Sequence, residues 1–240
     1  MPPILNRRTV GLMLAALVLA GCASRPAAPE LPKPVVKTVG LLPVAEPAEI
    51  TLENLNAISL FSPITSVGFA QDSRVKNRQL VEKLTAQKLA LGGELTAHLT
   101  QALEKSGYRV VLLTDVPRKP DDPDYIEYEK VKTDADAVLH VYYHRVGLYS
   151  GRFSIDYLPR VNIGATLYST QRKEELYGEY LYYGVDAREG KDWAVVADPR
   201  YAWPSFDVVM EKSEEIGNVF KTGGRLLVDR LIPQLRASHN

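Results

Sequence analysis

The apolar positions of this chain change period several times, and each change predicts an element. Val39 to Val44 (VGLLPV) is a short apolar run closed by proline and acid, the pattern of a buried strand. Residues 46–76 are mixed: Thr51 to Leu60 reads as strand or helix, and Ser62-Pro63 with Gly68 reads as loop. From Asn77 a helical period takes over, with Leu80, Leu84, Leu91, Leu95, Leu99, Ala102 and Leu103 on one stripe. Gly92-Gly93 mark a kink in that stripe, and Gly107 closes the helix after Ser106. Tyr108 to Leu113 is a second strand. A loop rich in proline and aspartate follows, and Asp122-Pro123 caps a short helix through Val131.

Ala135 to Val146 is apolar on both faces at its start and predicts a central strand. Val161, Ile163, Ala165 and Leu167 alternate with polar residues, a half-buried strand. A polar turn from Thr170 to Glu175 leads to its hairpin partner, Leu176 to Tyr183. Residues 185–204 hold Gly190, Pro199 and Pro204 with both tryptophans, and read as an irregular excursion. Phe206, Val209, Ile216, Phe220, Leu227 and Leu231 then trace a C-terminal helix, with a break expected at Gly223-Gly224. The fold class is α/β: a mixed sheet of about five strands, with a long helix, a short helix and a C-terminal helix packed on it. No internal repeat is present.

The first residues follow another pattern. Arg7 and Arg8 precede the apolar run Val10 to Ala20, which is shorter than the roughly 20 residues a spanning helix needs but suits a signal peptide. It ends in Leu19-Ala20-Gly21-Cys22, which closely resembles the bacterial lipobox. That resemblance implies cleavage before Cys22, a diacylglyceryl group on its thiol and an acylated new N-terminus. Acyl chains at about 0.8 kcal/mol per buried methylene would hold the chain on the lipid bilayer. The alternatives are an ordinary secretory signal with a chance cysteine, or a buried core thiol. Ala23, not aspartate, follows the cysteine, and by the same resemblance directs the chain to the inner leaflet of the outer membrane with its domain in the periplasm. Residues 1–21 are thus the signal peptide, 22–36 the lipidated cysteine and tether, and 37–240 a single domain. Pro26, Pro29, Pro32 and Pro34 favour extended polyproline II, giving the tether a reach of roughly 40 Å.

Composition narrows the function. The 240 residues carry 29 basic and 29 acidic side chains, and removal of the signal takes two arginines and leaves a formal charge of −2. Neither figure gives an electrostatic reason to bind nucleic acid or to use a polybasic membrane patch. One cysteine makes no internal disulfide and no multi-cysteine metal centre.

Several phrases, VGLLPV, ALEKSGYRVVLL (102–113), ADAVLHVYYHRV (135–146) and LLVDRLIPQL (226–235), come in an order that is similar to the periplasmic α/β domain of the curli-secretion lipoprotein family. The N-terminal domain of the Tol-system β-propeller protein and the penicillin-binding-protein activator lipoproteins share that build. The match covers about residues 37–184 and 205–236. It implies a periplasm-facing adaptor. The tether is shorter than in the activators, and no segment has the paired alternation that a pore-forming barrel would require.

Catalytic patterns are sparse. Ser73-Arg74-Val75-Lys76 is an S-x-x-K and Lys221-Thr222-Gly223 a K-T-G, two of three signatures of penicillin-recognising serine enzymes, but the second falls inside a helical period. His140 and His144 lie about 13 Å apart on one strand, too far to chelate one ion, and His98 and His239 read as core-edge or surface histidines. No metal or cofactor is expected. Nine of thirteen tyrosines fall between Tyr142 and Tyr183. On Leu176 to Tyr183, Tyr180 and Tyr182 share one face while Tyr177 and Tyr183 share the other, and only one face can meet the helices. Cross-strand pairing accounts for such a cluster, and so does a binding face. The expectation is a non-enzymatic envelope adaptor that docks another envelope protein on Tyr177, Tyr180, Tyr182 or Tyr183 with Trp193 and Trp203. The alternatives are a glycan- or lipid-binding module on the same aromatic surface, and a serine hydrolase acting through Ser73.

Overall fold

The computed structural model describes residues 34–55, 63–118 and 124–239, with side chains from residue 74 onward in the first helix. Cys22, the signal and most of the tether lie outside the described residues, as do the expected cap Asp122-Pro123 and the segment 56–62. The described elements are β1 (Thr38–Leu41), β2 (Ile50–Asn54), α1 (Pro63–Ala86), α2 (Leu91–Lys105), β3 (Arg109–Leu112), β4 (Ala137–Ser150), β5 (Leu158–Ser169), β6 (Glu174–Gly184), β7 (Ala194–Val195), α3 (Phe206–Glu211) and α4 (Ser213–His239).

The sheet is mixed, as the pattern of strands and helices predicts, but has seven strands instead of about five. Their order is β3-β1-β4-β5-β6-β7, with β2 also on β4. Strand β4 runs 14 residues, so one of its edges has room for two short parallel neighbours. β1 pairs there at Val39 with Ala137, and β2 pairs at Ile50 with Val146. β4, β5 and β6 form the antiparallel centre, and β7 adds two residues parallel to β6. Thr51 to Leu60, open between strand and helix, contains β2 over its first residues.

Side-chain alternation assigns the two faces. Ala137, Leu139 and Val141 of β4, Val161 and Ile163 of β5, and Leu181 and Tyr183 of β6 point to the helices, where all are buried. Leu91, Leu95, Leu99 and Leu103 of α2 and Ile216, Phe220, Leu227 and Leu231 of α4 meet them. The kink expected at Gly92-Gly93 is a true break a few residues earlier, at Gln87 to Ala90. Lys88 and Ala90 there adopt left-handed backbone, each with φ of 51°, and both glycines fall in the first turn of α2. The C-terminal helix is divided at Lys212, not at Gly223-Gly224; α4 runs unbroken through both glycines and Pro233. A Cβ on Gly223 would stand 2.6 Å from Cδ1 of Tyr183, so the absent side chain lets the helix close onto the sheet.

The short helix through Val131 is reduced to a 3-10 turn at Tyr128–Lys130. With Ile126 it covers Leu42 and Val138 on the second face of the sheet, near the start of β4. Residues 185–204 are largely irregular, pinned by Tyr157 and Trp203, which exchange backbone hydrogen bonds of 2.8 and 3.0 Å.

Candidate functional site

Among the described residues the rest of that second face carries no helix. Along β4 it presents His140, Tyr142, His144 and Tyr149, along β5 Arg160, Asn162, Gly164 and Tyr168, and along β6 Tyr180 and Tyr182. A register shift between Tyr143 and Arg145 places one extra residue, His144, in β4. The aromatic rings form a continuous row. Tyr168 stacks on Tyr128, Tyr128 tilts against His140, and His140 lies 5.1 Å from Tyr142. Tyr142 crosses Gly164, where any Cβ would enter its ring, and donates a 3.1 Å hydrogen bond to the Tyr180 hydroxyl. Burial, then the Tyr180 contact, holds the Tyr142 hydroxyl well above the usual tyrosine range, so it stays protonated and able to donate. Tyr180 is 42% exposed and reaches His144 at 5.0 Å between ring centres.

Beside this row lies a polar cluster. Arg160 is only 5% exposed, and its guanidinium sits 4.5 Å over the Tyr149 ring. It pairs with Glu53 of β2 and Asp186, each at 2.9 Å. Asp186 arrives from the turn after β6. Gly184 starts that turn with a φ of 85°, and a Cβ there would collide with the Pro159 carbonyl. The Asn162 amide donates to Asp186 at 2.7 Å. An open cleft of about 780 Å³ lies over Asn162, walled by Tyr180, Tyr182, Trp193 and Asp186. Tyr182 and Trp193 meet edge to face at 5.2 Å, and the Tyr182 backbone N–H donates to the Trp193 carbonyl.

The six aromatic residues named as candidates therefore separate. Tyr180, Tyr182 and Trp193 come together on the uncovered face. Tyr183 and Trp203 are buried in the core, and Tyr177 turns toward α4, where its hydroxyl donates to Gln234 at 2.7 Å. Strand parity divides the tyrosines of β6 as the sequence predicts, and the helices cover the Tyr183 side. Trp203 is drawn inward by its bridge to Tyr157, a contact between distant segments that no local pattern announces. Arg160, Asn162 and Asp186 are additions. Arg160 and Asn162 occupy the polar positions of β5, which reads as half-buried but is closed on both faces because Glu53 and Asp186 fold over it.

The other candidates find structural partners. Lys221 pairs with Glu94 at 3.4 Å, Thr222 bonds back to the Asn218 carbonyl, and Gly223 faces Tyr183, all within a helix. Lys76 lies 5.7 Å over the Phe206 ring. His98 contacts Asp229 at 2.9 Å, and His239 meets the Tyr108 hydroxyl. Among the described residues no group of three or more His, Cys, Asp or Glu side chains is placed to hold a metal ion. No helix among them is long and apolar enough to cross a membrane.

No protein-family model matches the chain. No curated protein matches it in sequence. Solved structures do align with it. A hypothetical protein from Chlamydia trachomatis covers 85% of this chain and 99% of its own, at 13% identity and a TM-score of 0.38. A DUF330 protein from Xanthomonas campestris covers 88% and 89%, at 9% and 0.40. The lipoprotein GNA1162 from Neisseria meningitidis covers 76% and 97%, at 15% and 0.30. Identities and scores at this level assign no family and no activity.

Proposed function

We propose that this chain is a lipid-anchored, non-enzymatic adaptor of the bacterial envelope, docking another envelope protein on the uncovered face of its sheet. The observation that carries the reading is the row Tyr142, His144 and Tyr180. A sheet face that carries aromatic rings and, among the described residues, no covering helix offers what a protein interface uses: large apolar area with polar tips, here with Arg145, Glu179 and Arg188 around it. The anchor is read from the lipobox at Cys22, and the proposed address, the periplasmic side of the outer membrane, from Ala23 after it.

Two experiments test the reading. A photo-crosslinking residue placed at Tyr180 of the full chain in cells is expected to capture one dominant envelope protein. The Tyr142→Ala, Tyr180→Ala double variant is expected to lose that partner in co-purification while keeping its far-ultraviolet circular dichroism. Retention of the same partner removes the face from consideration. Separately, Cys22→Ser should accumulate as an unprocessed precursor without acyl groups. A processed, membrane-bound Cys22→Ser product would show the anchor to be something else.

A further inference from the structure

We infer that the cleft over Asn162 binds a neutral sugar unit, at a site that adjoins the protein-docking row and shares His144 and Tyr180 with it. The argument begins with one unpartnered atom. Asp186 in its carboxylate form only accepts hydrogen bonds, so the Asn162 amide nitrogen must face it and does, at 2.7 Å. That orientation leaves Asn162 Oδ1 as an acceptor with no partner on a residue only 1% exposed. A buried polar atom without a partner carries a desolvation cost, so the floor of the cleft favours a ligand that donates an N–H or O–H.

The walls narrow the class. Tyr182 and Trp193, held edge to face with their planes 72° apart, form an angled aromatic wall in which a single ring face can take one apolar ligand face. In and beside the cleft Arg145, Arg160 and Arg188 are balanced by Glu53, Glu179 and Asp186, so the surroundings carry no net charge that would favour an anion or a cation. A ligand that suits both is uncharged, has one apolar face to lie on a ring, and carries hydroxyls that donate to Asn162 and the carboxylates and accept from the guanidiniums. A pyranose ring has those properties. The volume, about 780 Å³, lies within the few hundred to 1,000 Å³ typical of small-ligand clefts and takes a disaccharide.

The site is also preorganised. Arg160 fixes Asp186, Asp186 fixes Asn162, and the backbone bond from Tyr182 to Trp193 fixes the aromatic wall. The turn that brings Asp186 is set by Gly184, and the segment before Trp193 is tied to α4 by Gln234 donating to the Asp192 carbonyl at 2.8 Å. Little ordering remains to be done when a ligand enters.

The test uses the full chain in detergent, carrying Trp203→Phe so that Trp193 is the sole indole. Neutral disaccharides (the β-1,4 dimer of N-acetylglucosamine, cellobiose and maltose) are titrated to millimolar concentrations. Ligand-side saturation-transfer NMR runs in parallel. At least one is expected to shift the fluorescence saturably and to receive saturation from the protein on its ring protons. Tyr182→Ala is expected to weaken that binding about tenfold. Trp193→Phe, followed by NMR alone, keeps a ring and should weaken it less than Trp193→Ala. Phe153→Ser, far from the cleft, should leave it unchanged. Absence of saturable binding for all three sugars overturns the proposal, and so does binding that Tyr182→Ala and Trp193→Ala leave intact. Either outcome leaves protein docking standing if crosslinking at Tyr180 still captures its partner.

Discussion

His140 shows at the scale of one residue how this fold ties stability to pH. The ring is fully buried between Tyr128 and Tyr142, its Nδ1 meets the Tyr128 hydroxyl at 3.1 Å, and Nε2 has no partner. Burial, helped by the Arg118 charge, pushes its pKa down to about 4 from 6.5. Between those values the unfolded imidazole binds more protons than the folded one. Stability is therefore full above about pH 6.5 and is lost as pH falls toward 4, by about 3 kcal/mol in all. Thermal melts across that range are expected to show the midpoint falling with pH, and His140→Gln should flatten the slope. An unchanged slope would mean that the ring takes up its proton in the fold as readily as in the unfolded chain. Arg160 offers a second check. Replacing it with Met leaves Glu53 and Asp186 facing each other without their cation, and should cost about 2 kcal/mol in urea unfolding. Neither residue's role is visible in sequence. His140 sits in an apolar run and Arg160 in an alternating one, and each environment is supplied by a segment distant in the chain.

Among the elements, the helices differ most from what local pattern predicts. Glycine weakens a helix interior by about 1 kcal/mol, so Gly223-Gly224 reads as a break. The helix persists because tertiary packing overrides propensity: Tyr183 lies against Gly223, and Leu95 and the Tyr143 hydroxyl would each be 3.2 Å from a Cβ on Gly224. The break that does occur, at Gln87 to Ala90, contains neither glycine nor proline. Leu89 fills the space over Gly217 there, and two left-handed residues set the angle between α1 and α2. This contrast predicts opposite signs for one substitution. Gly93→Ala places its methyl in open space on a helix and should stabilise by about 0.5–1 kcal/mol. Gly223→Ala should destabilise by about 1–2 kcal/mol, because the buried Tyr183 ring must shift to admit the methyl. Paired chemical-denaturation curves measure both, and a stabilised Gly223→Ala would show the helix-to-sheet fit to be looser than the structure has it.

For the whole molecule, the order of strands and helices was legible where a long element has a clear period; α1 shows none before Asn77, and the stretch at Pro63 and Gly68 that reads as loop is helix. β7 was not legible, and β2 only as one of two alternatives: two and five residues carry little pattern, and β2 is fixed by distant partners, β4 beside it, Asn77 of α1 accepting from the Leu52 N–H, and Arg160 pairing with Glu53. Parity separated Tyr180 from Tyr183, but which side the helices cover is decided by packing that no single segment encodes. The same topology gives the domain two ends. The chain enters at Pro34 and β1 pairs at the start of β4, with Val39 beside Ala137. The turn from β4 to β5 lies at the other end of that 14-residue strand, about 40 Å away at 3.3 Å per residue. That turn presents Phe153, 98% exposed, and Ile155, 62% exposed. We propose that these two large apolar side chains, in solvent at the end of β4 remote from Pro34, give the partner docked at Tyr180 a second, separate contact. The Phe153→Ser, Ile155→Ser variant removes apolar surface without opening the core, so its stability should stay within about 0.5 kcal/mol of the parent. Its membrane fraction should also be unchanged, while capture of the envelope partner from a crosslinker at Tyr180 falls. Full capture by this variant would confine docking to the Tyr142–Tyr180 row, and a drop in stability would show that the tip packs against the domain.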